Sequence, residues 1–171
     1  QVIRKGVNMA RFQLAAEHRK TAAGILVSFH AKWSEKINAG QISVVFRKRL
    51  PLVSSPTVMF AYIGSPKSEI NARLPIESIE ELSIAECFAL SDRGAITQRE
   101  IERYADGRTH LRVARVGAPL VALSPVTLDL LQTRFDFFPT PNFISLSDEG
   151  VQALSALGNF ERPREKGLVK D

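Results

Sequence analysis

The stretch from Gly24 to Pro51 constrains this chain most, because it holds two strand patterns and a helix in one short unit. Gly24-Ile25-Leu26-Val27-Ser28-Phe29 is an apolar run of strand length, consistent with burial on both faces. Ala31 to Ala39 follows with Trp33 and Ile37 one helical turn apart, and Gly40 stands where helices end on a left-handed residue. Ile42, Val44 and Phe46 then alternate with Ser43, Val45 and Arg47 at strand spacing. The strand leaves through Arg47-Lys48-Arg49-Leu50-Pro51. On a strand Arg47 and Arg49 share a face and Lys48 takes the other, so the unit predicts a basic rim on a small sheet.

Elsewhere the pattern alternates between short strands and short helices. Strands are expected at about 25–29, 42–48, 58–63 and 110–116. Val58 to Ile63 is the most apolar of them and reads as central. Glu69 to Ile79 alternates imperfectly and reads as a strand interrupted, or made an edge, by Pro75. Ser83 to Glu86 and Thr97 to Glu100 are capping boxes, stapled by Leu82 with Cys87 and by Ile96 with Ile101. Gly94 and Gly107 are the expected stops of these two helices. Leu120 to Leu123 reads as a strand and Ser124-Pro125 as a helix cap followed by proline at the first helical position. Phe143 to Leu146 reads as a closing strand, and Ser147 as the cap of a last helix that stops at Gly158.

Composition excludes several classes. The chain has 171 residues, 44% hydrophobic and 24% charged, which fits one soluble globular domain. No apolar run approaches the roughly 20 residues that span a bilayer, and the opening residues lack a secretory pattern. The single cysteine, Cys87, cannot form an internal disulfide, and a cytoplasmic location is expected. His18, His30 and His110 are scattered without metal-ligand spacing, and no phosphate-binding glycine loop is present, so no metal or cofactor is expected. A net charge of +5 favours a polyanionic partner.

With these segments in place, the chain resembles an ASCH domain, a branch of the PUA-like superfamily of small β-barrels linked to RNA. Ser28-Phe29-His30-Ala31-Lys32-Trp33 is similar to a Ser-x-Lys-Pro-x-Tyr opening, with His30 at the lysine and Trp33 at the tyrosine. The family signature, glycine-x-lysine-x-x-glutamate-x-arginine, falls on Gly40, Ile42, Val45 and Arg47, so its glycine and arginine are kept and its lysine and glutamate are not. Tyr62 to Pro66, Arg103 to Arg108 and Phe138 to Phe143 continue the resemblance, which spans about residues 24 to 146. It implies an α+β fold: a small, mostly antiparallel PUA-like barrel with short helices covering its open ends. Residues 1–23 would be a basic extension, 24–158 the domain and 159–171 a charged tail.

The resemblance also implies a cleft at the barrel mouth. Its expected lining is Ser28, His30, Lys32, Trp33, Gly40, Arg47, Arg49 and Ser65, with Asn142 and Phe143 from the last matched segment. Most basic residues simply sit in water and most aromatics simply pack; Arg47, at the matched arginine, is the expected anion anchor. ASCH proteins include amidohydrolases acting on acetylated cytidine, and nucleases. That chemistry needs titratable groups, which Ile42 and Val45 do not supply. The expectation is therefore a non-catalytic domain binding RNA or another single-stranded nucleic acid. A hydrolase of ASCH type, or a regulatory module with a protein partner, are the alternatives.

Overall fold

The computed structural model describes residues 22–52 and 55–163. Residues 1–21 of the expected extension (1–23) and residues 164–171 of the expected tail (159–171) therefore lie outside the described residues. Among the described residues eight strands form one sheet, and five short α-helices accompany them. The strands are β1 (Gly24–Phe29), β2 (Val44–Arg47), β3 (Val58–Ile63), β4 (Glu69–Ser83), β5 (His110–Val116), β6 (Leu120–Thr127), β7 (Phe143–Leu146) and β8 (Phe160–Glu161). The helices are α1 (Ser34–Asn38), α2 (Ile84–Ala89), α3 (Gln98–Ala105), α4 (Leu128–Phe135) and α5 (Asp148–Gly158). A 3₁₀ turn over Ala31–Trp33 leads into α1.

The main path of the sheet runs β2-β5-β4-β3-β1-β7, with β6 and β8 branching from β4. Among the described residues only β1 and β3 pair in parallel, in register from Gly24↔Val58 to Phe29↔Ile63; the other ladders are antiparallel. The result is the expected mostly antiparallel, barrel-like α+β fold, open between its end strands β2 and β7.

Alternation along the strands divides the apolar residues into three clusters. Val27, Phe29, Val45, Met59, Ala61, Leu74 and Ala114 face inward. The opposite faces of β1 and β3 bring Leu26, Phe60 and Tyr62 against Leu131 of α4 and Leu154 of α5. Those of β2 and β5 bring Val44, Phe46, Leu111 and Val113 against Cys87 of α2 and Ile101 of α3. So α2 to α5 lie over the outer faces of the strands, because those faces are as apolar as the inner ones. Only α1 joins the inner cluster, through Ile37, 1% exposed. Both capping boxes form as read, and Cys87 is a buried core residue.

Two expectations are corrected. Pro75 neither interrupts β4 nor puts it on an edge: β4 runs unbroken to Ser83, between β3 on one side and β6 and then β5 on the other. The Pro75 carbonyl accepts from Gly117 N, so its missing N–H faces the Gly117–Pro119 crossover between β5 and β6, where no ladder needs it. Nor does Ser124-Pro125 open a helix. β6 continues to Thr127, whose hydroxyl accepts from Leu130 N at 3.2 Å and caps α4. Residues 122–125 leave the ladder between the Val121↔Ala72 and Val126↔Ile70 pairs, so Pro125 costs no sheet hydrogen bond.

Opposite that break, the register of β3 and β4 skips Asn71, which is bulged out between Ala61↔Ala72 and Tyr62↔Ile70. Its amide donates to Ser34 Oγ at 2.9 Å, tying α1 to the sheet; Lys67 Nζ reaches the same oxygen at 3.2 Å. Ser34 and Asn71 are the buried polar residues of the described core. Ser34→Ala leaves a buried amide donor without its acceptor. The expected cost is about 1–3 kcal/mol, read as a lower urea midpoint at unchanged slope.

Candidate functional site: a cavity at the open seam

A cavity of about 480 Å³ lies where the sheet fails to close. One wall is the end of β1, Ser28 and Phe29, and another is β2 from Val44 to Arg47. Lys32 and Trp33 enter from the 3₁₀ turn, Ile96 precedes α3, and Glu100, Arg103 and Tyr104 come from α3 itself; Pro141, just before β7, completes it. Phe46 can approach because Gly94 has no side chain: a Cβ there would meet its ring at 2.7 Å.

Arg47 spans the gap. Strand alternation places it inward with Val45, and its Nη2 donates to Ser28 O on β1 at 2.9 Å. Nη1 donates to the carbonyl of Phe46 at 2.7 Å, and the guanidinium lies 4.6 Å from the Phe29 ring centroid. Burial pushes its pKa below the ordinary arginine value, with the Tyr104 hydroxyl acting slightly the other way. Among the described residues no carboxylate forms an ion pair with it. The enclosed charge therefore remains uncompensated while donors remain to be used.

Around it the polar groups are held by local structure. The Tyr104 hydroxyl accepts from Lys48 N at 3.0 Å, which leaves its proton to donate, and Lys48 Nζ sits 5.1 Å over the ring. Glu100 has two duties: Oε1 completes the capping box with Thr97, and Oε2 accepts from Lys32 Nζ at 3.2 Å. Lys32 and Lys36 lie 4.8 and 5.2 Å from the Trp33 ring centroid.

Of the residues expected from sequence, Ser28, Lys32, Trp33 and Arg47 line this cavity. His30 is exposed and caps the 3₁₀ turn, its Nδ1 accepting from Lys32 N at 3.2 Å. Gly40, at φ +73°, ends α1 and lines a different hollow of about 750 Å³ with Arg73 and Arg162. β2 ends at Arg47, so Arg49 follows it in exposed, irregular chain outside the cavity lining. Ser65 is exposed at a cis bond to Pro66. Asn142 is exposed and Phe143 packs on the inner core beside Pro141. Glu100 and Tyr104 were legible as one face of α3, four residues apart, yet the capping role of Glu100 hid its second one.

No family model and no curated protein matches the sequence. Solved structures do match the fold. The ASCH protein of Zymomonas mobilis superposes with a TM-score of 0.70 at 21% identity, covering 82% of this chain and 96% of that one. A point variant of that protein gives 0.68 at 20% identity, over 81% and 98% of the two chains. The N-terminal domain of McrB from Staphylothermus marinus gives 0.54 at 12% identity, over 85% and 99%. The fold is that of an ASCH domain.

The Lys32 contact is the first cause that lowers the Glu100 pKa, and the capping bonds from Thr97 act with it. Because the folded-state pKa is depressed, this contribution to stability is complete above the ordinary carboxylate value and fades as pH falls through the lowered one. A carboxyl-carbon NMR titration is expected to place Glu100 below the ordinary range and to move it up in Lys32→Ala.

Proposed function

We propose that this cavity binds single-stranded nucleic acid, RNA foremost, with Arg47 as its anion anchor. The observation that carries the reading is a part-buried guanidinium without an ion-pair partner among the described residues, in a cavity whose walls also hold Trp33 and Tyr104. A guanidinium suits phosphate or a base edge, and aromatic walls suit a base face. The ASCH fold and a net charge of +5 point the same way. Arg49, exposed where the chain leaves β2, extends the positive mouth toward the backbone of a bound strand.

The test is fluorescence anisotropy of a labelled RNA pool at several salt concentrations. Affinity is expected to fall as salt rises. Arg47→Ala should weaken binding by about 1–3 kcal/mol, whereas Arg49→Ala should lower the salt slope by about one. Arg134→Ala on α4 should change nothing. Since Arg47 also ties β2 to β1, Arg47→Lys and a melting curve separate lost binding from lost folding. An absence of salt-sensitive binding by the folded protein sinks the reading.

One observation favours a second reading. Lys32 and Glu100 bring an ammonium and a carboxylate to the cavity, 3.2 Å apart, and Tyr104 brings a hydroxyl. These are the titratable groups that Ile42 and Val45 fail to supply, and they suit an ASCH-type hydrolase. Cleavage of RNA or deacetylation of acetylated cytidine above a blank, lost in Glu100→Gln, would establish it.

A further inference from the structure

At the other end of the sheet lies the hollow of about 750 Å³, which shares no lining residue with the cavity at the seam. β1 and β3 run in parallel; the cavity takes Ser28 and Phe29 at the end of β1, and the hollow takes Val58, paired with Gly24, at the start of β3. Three neighbouring chains build one wall. Arg73 of β4 pairs with Leu120 of β6, and the next residue of β6, Val121, pairs with Glu161 of β8. Arg162 follows Glu161 directly, so Arg73 and Arg162 flank Leu120, and all three line the hollow. Another side is closed at Gly40, where a Cβ would meet Pro119 Cδ at 3.5 Å, so the end of α1 lies against the β5–β6 crossover.

Arg73 is fixed from behind. Its Nη1 donates to Ser155 Oγ on α5 at 2.7 Å, and its guanidinium lies 5.6 Å from the Phe60 ring centroid. A hydroxyl and a ring face hold the group in place without neutralising it, and most of its donors remain to be used. Burial pushes its pKa below the ordinary arginine value. Among the described residues neither Arg73 nor Arg162 forms an ion pair with a carboxylate. None lines the hollow either; the Glu77 carboxylate lies beside Gly117, outside the lining.

Two cations facing one hollow repel each other, and an anion between them turns that repulsion into attraction. Their backbones stand about two strand spacings of 4.8 Å apart, a span that two long side chains bridge through one phosphate. A guanidinium fork matches phosphate oxygens. The remaining walls, among them Val58, Pro75, Pro119 and Leu120, are mostly apolar and suit a hydrocarbon or aromatic body. A nucleic-acid strand follows a run of basic residues, whereas here two cations stand among apolar walls. We infer that this hollow binds a small phosphate monoester, its phosphate between Arg73 and Arg162 and its apolar body against Val58, Pro119 and Leu120.

The experiment titrates the full chain with phenyl phosphate, inorganic phosphate and phenol, followed by amide NMR and calorimetry. Phenyl phosphate is expected to shift the amides of Gly40 and Leu120. Inorganic phosphate should bind about tenfold more weakly, and phenol should not bind. Arg162→Gln, at an exposed position after β8, should weaken phenyl phosphate about tenfold, the scale of one charged hydrogen bond, with an unchanged melting curve. Arg47→Lys in the cavity should leave those shifts as they are. Equal affinity for phenyl phosphate and inorganic phosphate overturns the proposal, as does binding that Arg162→Gln does not weaken. Shifts lost in Arg47→Lys overturn it too, since the probe then sits in the cavity. If phenyl phosphate does not bind while Arg162→Gln weakens RNA, the two arginines serve a nucleic-acid backbone and the small-molecule site falls.

Discussion

Where no ladder joins β2 to β1, the Arg47 guanidinium bridges them by a hydrogen bond over the apolar core they share. The sheet ends at β2 on one side and β7 on the other, and Arg47 crosses from β2 to the carbonyl of Ser28 on β1. A ladder across the same gap would satisfy every peptide group and leave no room. A long side chain spans a wider gap, so a cavity persists there. The arrangement carries an electrostatic cost, since burial penalises the charged form and pushes the Arg47 pKa down. Two carbonyls and the Phe29 ring offset part of that cost without neutralising the charge.

The apolar clusters make this arrangement tolerable. Each face of β2 is tied down by packing, Val45 with the inner core and Val44 and Phe46 against α2 and α3. Fully burying side chains of this kind contributes about 1.5–3 kcal/mol each, more than a typical ladder hydrogen bond at about 0.5–1.5 kcal/mol. An end strand anchored through its side chains can leave its edge open. The same packing sets α3 with Ile101 in the core, which turns Glu100 and Tyr104 toward the gap.

Local rules carried much of the fold. Capping boxes at Ser83 and Thr97 act over one turn, and the Val58–Ile63 run is apolar on every residue, so both were readable without knowing their neighbours. The prolines were misread for a shared reason. Whether Pro75 or Pro125 breaks a strand depends on what lies beside its missing N–H, and that is set by the Gly117–Pro119 crossover for Pro75 and by β4 for Pro125, both far away in sequence. The cavity was half legible. Ser28, Lys32, Trp33 and Arg47 stand in one short stretch, whereas Arg49 was placed by extending strand alternation past the point where β2 ends.

Ile42 and Val45 acquire a physical sense in this setting. They stand where the resemblance puts a lysine and a glutamate, and are 4% and 3% exposed, part of the inner core and of the cavity wall. An ion pair there would compete for the Arg47 guanidinium and for water, and would need its own hydrogen bonds to offset desolvation. Two apolar side chains lower the local dielectric, which strengthens every polar contact that remains. Those contacts come from a guanidinium and a phenol whose positions are set by packing. The Lys32–Glu100 pair, carried on the 3₁₀ turn and on α3, stays closer to solvent. Apolar side chains at Ile42 and Val45 thus leave the polar groups to the rim of the cavity, and the floor to shape.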